Sequence, residues 1–314
     1  MTANEKSNST YNIRNYKPKD FDKYVLLNTE AEKLEPTGRC VSPQAIAEHL
    51  GRPNHSQEQD LFITEIAENI VGFMDVTPEL NIGQVILDCW IHPEHRRRGL
   101  ATEFLDYATR RAKELGARKT HVSIMEDNVV AKEVLSRLGF SLVQKFLELS
   151  LDIADVQWPD INQAALECRC LQRGEEDKLT QIQNRAFAGD WGFNPNTVEE
   201  IIYRANSSTC SPEDIILIYE GNEVIGYCWT GTVCEEGATS QRKGRIYMLG
   251  VDPDYRGKGT GRKALLAGLA HLKSKGLQVA ELTVYSENKA ARALYKSIGF
   301  KVRTSGFWYE KVVN

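Results

Sequence analysis

The chain repeats itself. "IHPEHRRRGLATEFL" (91–105) aligns with "VDPDYRGKGTGRKAL" (251–265), pairing Pro93 with Pro253, Arg96 with Arg256 and Gly99 with Gly259 at a constant offset of 160 residues. "NVVAKEVLSRLGF" (128–140) matches "NKAARALYKSIGF" (288–300) in the same register, with Asn, Ala, Gly and Phe in step. Upstream, "IVGF" (70–73) pairs with "VIGY" (224–227) at an offset of 154, so the second copy holds six extra residues. They are expected in the polar tract "CEEGATSQRKG" (234–244), which reads as a long hairpin loop between apolar runs. A repeat of this length dictates two like units, and 314 residues supply a core for each. Proline and polar residues interrupt the apolar pattern at "DIADVQWPDINQ" (152–163), which divides the chain into units 1–153 and 163–314.

The second unit is the easier to read. "LECRCL" is strand-like, while "EEDKLTQIQNRAF" and "TVEEIIYRAN" open with acidic residues, as helices do. "DIILIYE", "EVIGYCWTGTV" and "RIYMLGV" are short β-branched or aromatic runs bounded by turn residues. Leu265, Leu266, Leu269 and Leu272 mark one helical face, "VAELTVY" is a strand, "NKAARALYKSI" a helix, and "FKVRTSGFWYEKVV" a closing pair of strands. The order β-α-α-β-β-β-α-β-α-β-β predicts an α/β unit, a mixed sheet flanked by helices, twice over.

Composition narrows the function classes. The formal charge of −4 and pI near 6.0 offer no general attraction to polyanions, so basic clusters must be read locally. No apolar run reaches a membrane span and the first ten residues lack a signal-peptide core, so no membrane partner is expected. Seven cysteines without a CxxC pair predict a reduced, cytoplasmic chain; Cys168 and Cys170 alternate on a strand and read as packing residues. His92 and His95 read as surface residues with no partner at metal-ligand spacing, so no metal is expected.

The two glycine turns carry the chemistry. A strand entering a Gly-rich turn and then a helix leaves several N–H groups unpaired where the helix dipole favours an anion. In "YRGKGTG" (255–261), Arg256 and Lys258 add charge, and Gly257, Gly259 and Gly261 let the backbone approach a ligand. The spacing is neither a Walker loop nor a dinucleotide fingerprint. A solvated basic turn would account for one such loop; its linkage, twice, to the downstream Asn pattern argues for a pyrophosphate cradle. A nucleic-acid surface built on Arg96, Arg97, Arg98 and the cations of 256–263 ranks below this, since both clusters begin helices in a net acidic chain.

On these residues the chain resembles the GNAT superfamily of acetyl-CoA-dependent N-acetyltransferases, whose signature [QR]-x-x-G-x-[GA] stands here as "RRRGLA" (96–101) and "RGKGTG" (256–261). The resemblance covers nearly all of both copies and implies two tandem GNAT domains. It implies that Arg256 to Gly261, Thr260 included, hold the coenzyme A pyrophosphate, while the backbone of Leu249 and Val251 pairs with the pantetheine arm in a fork between splayed strands. In the first copy Arg96, Arg97, Arg98, Gly99, Leu100 and Ala101 would form the turn, and Leu87, Cys89 and Ile91 the strand. Asn288 either contacts the cofactor or caps its helix, and the matching Asn128 is expected at the cofactor of the first copy.

Acyl transfer to an amine needs a neutral amine, a stabilised oxyanion and a proton for the departing thiolate. The family commonly takes that proton from a tyrosine on the last helix, and the match is Tyr295, on one face with Asn288 and Ala291. Its counterpart in the first copy is Leu135, so the second copy is expected to turn over and the first to bind acyl-CoA or serve as a structural partner. Glu235 and Glu236 are candidate bases or a solvated acidic loop; Asp190 is another candidate. Trp191 and Phe193 either line an acceptor pocket or anchor their loop. The expected activity is acetyl transfer from acetyl-CoA to a primary amine of a small molecule; the rival is an acyl-CoA-binding regulatory protein without turnover.

Overall fold

The computed structural model describes residues 10–156, 168–233 and 242–313. The first half runs β1 (Asn12–Asn15), α1 (Phe21–Leu34), α2 (Pro43–Leu50), α3 (Gln57–Asp60), β2 (Leu61–Ile66), β3 (Asn69–Glu79), β4 (Gln84–Ile91), α4 (Leu100–Glu114), β5 (Lys119–Met125), α5 (Val129–Arg137), β6 (Ser141–Asp152). The second runs β7 (Cys168–Cys170), α6 (Glu176–Ala186), α7 (Val198–Ala205), β8 (Ile215–Glu220), β9 (Glu223–Thr232), β10 (Lys243–Val251), α8 (Thr260–Ser274), β11 (Val279–Tyr285), α9 (Lys289–Ile298), β12 (Lys301–Val312). Local chemistry sets the helix starts. Thr197 and Glu200 close a capping box on α7, and the Oδ1 atoms of Asn128 and Asn288 accept the N–H groups of Ala131 and Ala291, each at 3.0 Å.

The two units share one sheet of twelve strands, ordered β1-β2-β3-β4-β5-β12-β6-β11-β10-β9-β8-β7. The closing strand of each half is inserted into the other: β12 pairs with β5, and β6 with β11. The expected pair of closing strands in the second unit is thus one long strand, because the neighbouring slot is taken by the strand of the other half. Where β6 and β12 meet, Gly306 lies opposite Phe146, residues that are themselves 160 apart, so the pseudo-twofold axis passes through this pair. Only one side chain fits there. A β-carbon on Gly306 would stand 2.2 Å from Phe146 Cζ, so the ring occupies the space over the glycine.

Each half has two cores, one on either face of the sheet. Phe104, Ala108 and Leu135 pack under α4 and α5, as Leu265, Leu269, Leu272 and Tyr295 pack under α8 and α9; the opposite faces are covered by α1 and α2 and by α6 and α7. The stripe Leu265, Leu266, Leu269, Leu272 is buried throughout, as its spacing predicts. On the second face the halves touch through equivalent elements: Tyr203 Oη donates to Glu48 O at 2.6 Å, and Ser208 Oγ to the Glu48 carboxylate at 2.7 Å. Asn54 Nδ2 reaches Glu200 at 3.0 Å beside them. Cys40 is disulfide-bonded, which corrects the expectation of a wholly reduced chain; Cys89, Cys168, Cys170, Cys210 and Cys228 are thiols outside any disulfide. No helix among the described residues is long and apolar enough to cross a membrane.

Candidate active site

The sheet is parallel at two places, and both open into forks. β10 pairs with β11 from Lys243–Val279 to Ile246–Leu282, after which the strands run on to Val251 and Tyr285 without further pairing. β4 and β5 do the same, parting after Ile86–His121. Beyond the fork, Leu249 and Val251 stay in register with β9 opposite Cys228 and Gly226, and Cys89 and Ile91 with β3 opposite Met74 and Gly72, with Leu87 opposite Val76. The Asp252 N–H bonds to Ile225 O and the His92 N–H to Val71 O, so in the alternating ladder the N–H and C=O groups of Leu249, Val251, Cys89 and Ile91 point the other way, toward the opening. An unpaired strand edge inside a sheet is a template for an extended, amide-bearing ligand, and a pantetheine arm fits it.

Both forks lead into the glycine turns. Gly259 at φ +89° and Gly99 at φ +86° are the N-caps of α8 and α4, and neither helix start has a side-chain cap. In the second turn the Arg256 N–H reaches Pro253 O at 3.4 Å and the Lys263 N–H reaches Gly259 O at 3.0 Å, and the amides between them are left for an anion. Thr260 and Leu100 are buried, so their backbone rather than their side chains faces that site. Gly257 takes φ +75°; its counterpart Arg97 takes φ +61°, a left-handed conformation that costs a non-glycine residue about 1 kcal/mol. The two leading arginines turn inward. Arg256 donates to Ala186 O at 2.6 Å and Val251 O at 3.2 Å, while Arg96 reaches Ile91 O at 2.8 Å and pairs with Glu35 at 2.5 Å. Both brace the turn, and in the first copy Glu35 also neutralises the charge. Lys258 and Arg98 lie over the rings of Tyr255 and Tyr11, at 5.2 and 5.6 Å. A β-carbon on Gly261 would make only ordinary contacts at 3.5 Å, which is why Ala101 is accepted at the matching site.

The two forks differ at their base. Val76 lies opposite Leu87 and Thr230 opposite Ile246, but one step further Met74 opposes Cys89 while Cys228 opposes Leu249. The offset from β4 to β10 is therefore 159 at Ile246 and 160 at Leu249, and Tyr247 is a bulged residue that the first copy lacks. Of the six extra residues expected in the 234–244 tract, one is this bulge. A bulge at the mouth of a fork re-aims a backbone N–H away from the ladder, as an oxyanion donor must be aimed. Sequence reading missed it, although the change of offset was the signal.

Tyr295 lies on α9 in the same core as Leu249, Leu282 and Val284, its ring 5.8 Å from that of Phe300; burial pushes its phenol well up, so it stays a proton donor. Leu135 fills the matching place. Asn288 and Asn128 spend their Oδ1 atoms as helix caps. Phe193 stacks on Phe187 at 5.4 Å and anchors its loop. Trp191 instead reaches the seam between the halves, meeting Tyr285 and His121 edge-on at 5.5 Å and Trp308 at 6.0 Å. The Tyr285 hydroxyl lies beside Gly192, and burial, with Glu79 and Asp190 nearby, pushes it up to about 12. Asp190 is raised by desolvation and drawn back by Arg256. Glu235 and Glu236 lie outside the described residues. His92, Glu94 and His95, expected to lack a partner at ligand spacing, have ligand atoms within 4.8 Å of one another; His95 Nδ1 is also engaged with Tyr11 Oη, and His92 Nδ1 accepts from the Glu94 N–H.

The model of the acetyltransferase (GNAT) family matches residues 27–140 and again 177–300. The chain belongs to the GNAT acetyltransferase family. It is an acyltransferase that uses acyl-CoA, built of two such domains. A protein of Amycolatopsis mediterranei named mycothiol acetyltransferase is 29% identical over 293 residues, covering 90% of this chain and 91% of that one. Another of that name, from Streptomyces coelicolor, is 26% identical, covering 93% and 92%. Among solved structures, a GCN5-related N-acetyltransferase from Sphaerobacter thermophilus superposes with a TM-score of 0.71 at 19% identity, covering 97% of this chain and 96% of the other. A tandem GNAT protein from the clavulanic acid biosynthesis pathway does so at 0.67 and 12% identity, covering 97% and 99%. These likenesses support the fold.

Proposed function

We propose that the protein transfers an acetyl group from acetyl-CoA to a primary amine of a small molecule by direct attack, with turnover in the second half. The observation that carries this is the asymmetry of a duplicated site: bulge and phenol occur together at the second fork, and the first has neither. The acyl donor supplies the activated carbonyl; the chain holds its pyrophosphate on the amides of the turn around Gly257 to Gly261. The N–H freed by the Tyr247 bulge is the candidate oxyanion donor, and Tyr295, held neutral by burial, returns a proton to the departing sulfur. Relatives named mycothiol acetyltransferase, matched over about nine-tenths of their length, support a small-molecule acceptor. The first half, with turn and fork but no acid, binds acyl-CoA or braces the second. Tyr295→Phe should slow transfer by about 10²-fold while acetyl-CoA affinity stays within twofold; unchanged turnover would remove Tyr295 from the mechanism.

A further inference from the structure

β11 presents its two faces to different surroundings. Ala280, Leu282 and Val284 join the core under α8 and α9, where Tyr295 sits. Glu281, Thr283 and Tyr285 therefore face the other way, toward the loop that carries Trp191. Thr283 is the first residue of β11 beyond the last parallel pair, so its side chain marks the fork on that second face. Directly opposite it, on the strand lent by the first half, stands Glu148.

Thr283 Oγ1 donates to Glu148 Oε1 at 2.6 Å, and Arg245 Nη2 reaches Thr283 Oγ1 at 2.5 Å and the two Glu148 oxygens at 3.4 and 3.3 Å. The carboxylate is oriented from one side. Its Oε2 holds one long contact and keeps lone pairs for a further donor. The duplication supplies an internal control: the matching positions of the first fork are Trp308, Ser123 and Ile86, and Trp308 is spent on packing against His121 and Trp191. The charged pair thus occurs only at the fork with the bulge and the phenol, although one member belongs to the other repeat.

Resting on the reading that turnover lies in the second half, we propose that Glu148 is the acceptor-side catalytic residue, receiving the acceptor's ammonium at the fork and taking one of its protons. The freed lone pair forms the C–N bond to the thioester carbonyl carbon, and the C–S bond breaks with its pair on sulfur. A second proton leaves nitrogen as the intermediate collapses and replaces the one Tyr295 gives to sulfur, so one proton is released overall. Glu148 and Tyr295 work from opposite faces of the sheet, which lets the amine approach along one and the thiol leave along the other.

The test compares wild type, Glu148→Gln, Glu148→Asp and Thr283→Val, with glucosamine, glycinamide and spermidine as acceptor probes. Readouts are transfer against pH, probe binding by calorimetry with coenzyme A present, acetyl-CoA affinity and thermal stability. Glu148→Gln should lose about 10²-fold in kcat/KM for the best acceptor, and its rate should rise with pH in step with the free-amine fraction. Acetyl-CoA affinity should stay within twofold, Glu148→Asp should recover part of the rate, and Thr283→Val, which removes the hydroxyl's bonds to Glu148 and Arg245 but leaves the carboxylate, should lose less than tenfold. Wild-type transfer undiminished in Glu148→Gln would overturn this assignment and leave the proposed function standing. Amine binding that needs Glu148 in a wild type without transfer would overturn the proposed function and the proton-taking role and leave Glu148 only as an amine-binding residue, and neither binding nor transfer would overturn all of it. Melting that falls in Glu148→Gln together with affinity for both substrates would show a merely structural role and also overturn it.

Discussion

Gly306→Ala strikes the pair on the pseudo-twofold axis, and its effect follows from packing alone. Gly306 has no positive φ, so an alanine there meets no backbone penalty. Its β-carbon would stand 2.2 Å from Phe146 Cζ and 2.8 Å from Ile124 O, and a backbone atom cannot swing away. The Phe146 ring, buried beside the Glu148 strand position, must leave its rotamer. Overpacking of this kind costs about 1–3 kcal/mol, and the backbone clash favours the upper end. At about 2 °C per kcal/mol, the melting temperature should fall by about 4–6 °C. Phe146→Ala alone should cost about 3–4 kcal/mol through lost burial and a cavity. In the double variant the new methyl enters the vacated space, so the total should fall below the sum by about 1–2 kcal/mol. The assay is calorimetric and urea unfolding of all four chains. A neutral Gly306→Ala, or strict additivity, would refute the claim that these residues share one site at the joint between the halves.

Other perturbations separate local roles. Gly257→Ala, with nothing within 4 Å of the new β-carbon, should cost about 1 kcal/mol from its φ of +75° alone, whereas Arg97→Gly should change stability by less than about 0.5 kcal/mol, since relief of strain offsets added chain freedom; thermal scans of both decide it. Asn288→Ala should destabilise by about 1 kcal/mol with acetyl-CoA affinity unchanged if capping is its whole role, and a calorimetric loss of affinity would show a cofactor contact instead. Burial would raise the Asp214 carboxyl, but His271, Lys275 and Ser211 outweigh it and hold the group far below its ordinary value. A depressed folded value means stabilisation present above the unfolded value near pH ~4 and lost as pH falls toward the folded one. Asp214→Ala should therefore cost about 3 kcal/mol at pH 7, and urea titrations should show that difference shrinking below about pH 4.

How far the sequence reaches is clearest at particular residues. The 160-residue register exposed both turns, the matched asparagines and the Tyr295–Leu135 contrast, because these are local patterns on single elements; that both asparagines cap their helices came from the structure. The exchange of β6 and β12 was not legible: each strand carries the same alternation whichever neighbour it pairs with, and register says nothing of whose edge is free. Glu148 was invisible for the same reason, since it belongs to one repeat and serves the fork of the other. The inward set of Arg256 and Arg96 escaped too, because a turn's composition gives its charge but not the carbonyls within reach of it.

The central claim is that turnover resides in the second fork. Gly99 and Gly259 cap equivalent helices with positive φ, and neither has an atom within 4 Å of a β-carbon, so Gly99→Asp and Gly259→Asp are matched insertions of one carboxylate into each proposed pyrophosphate site. Steady-state acetylation of a small amine at saturating acetyl-CoA should fall at least about 10²-fold in Gly259→Asp, and stay within about twofold of wild type in Gly99→Asp. Loss of turnover in Gly99→Asp with Gly259→Asp still active would contradict the account.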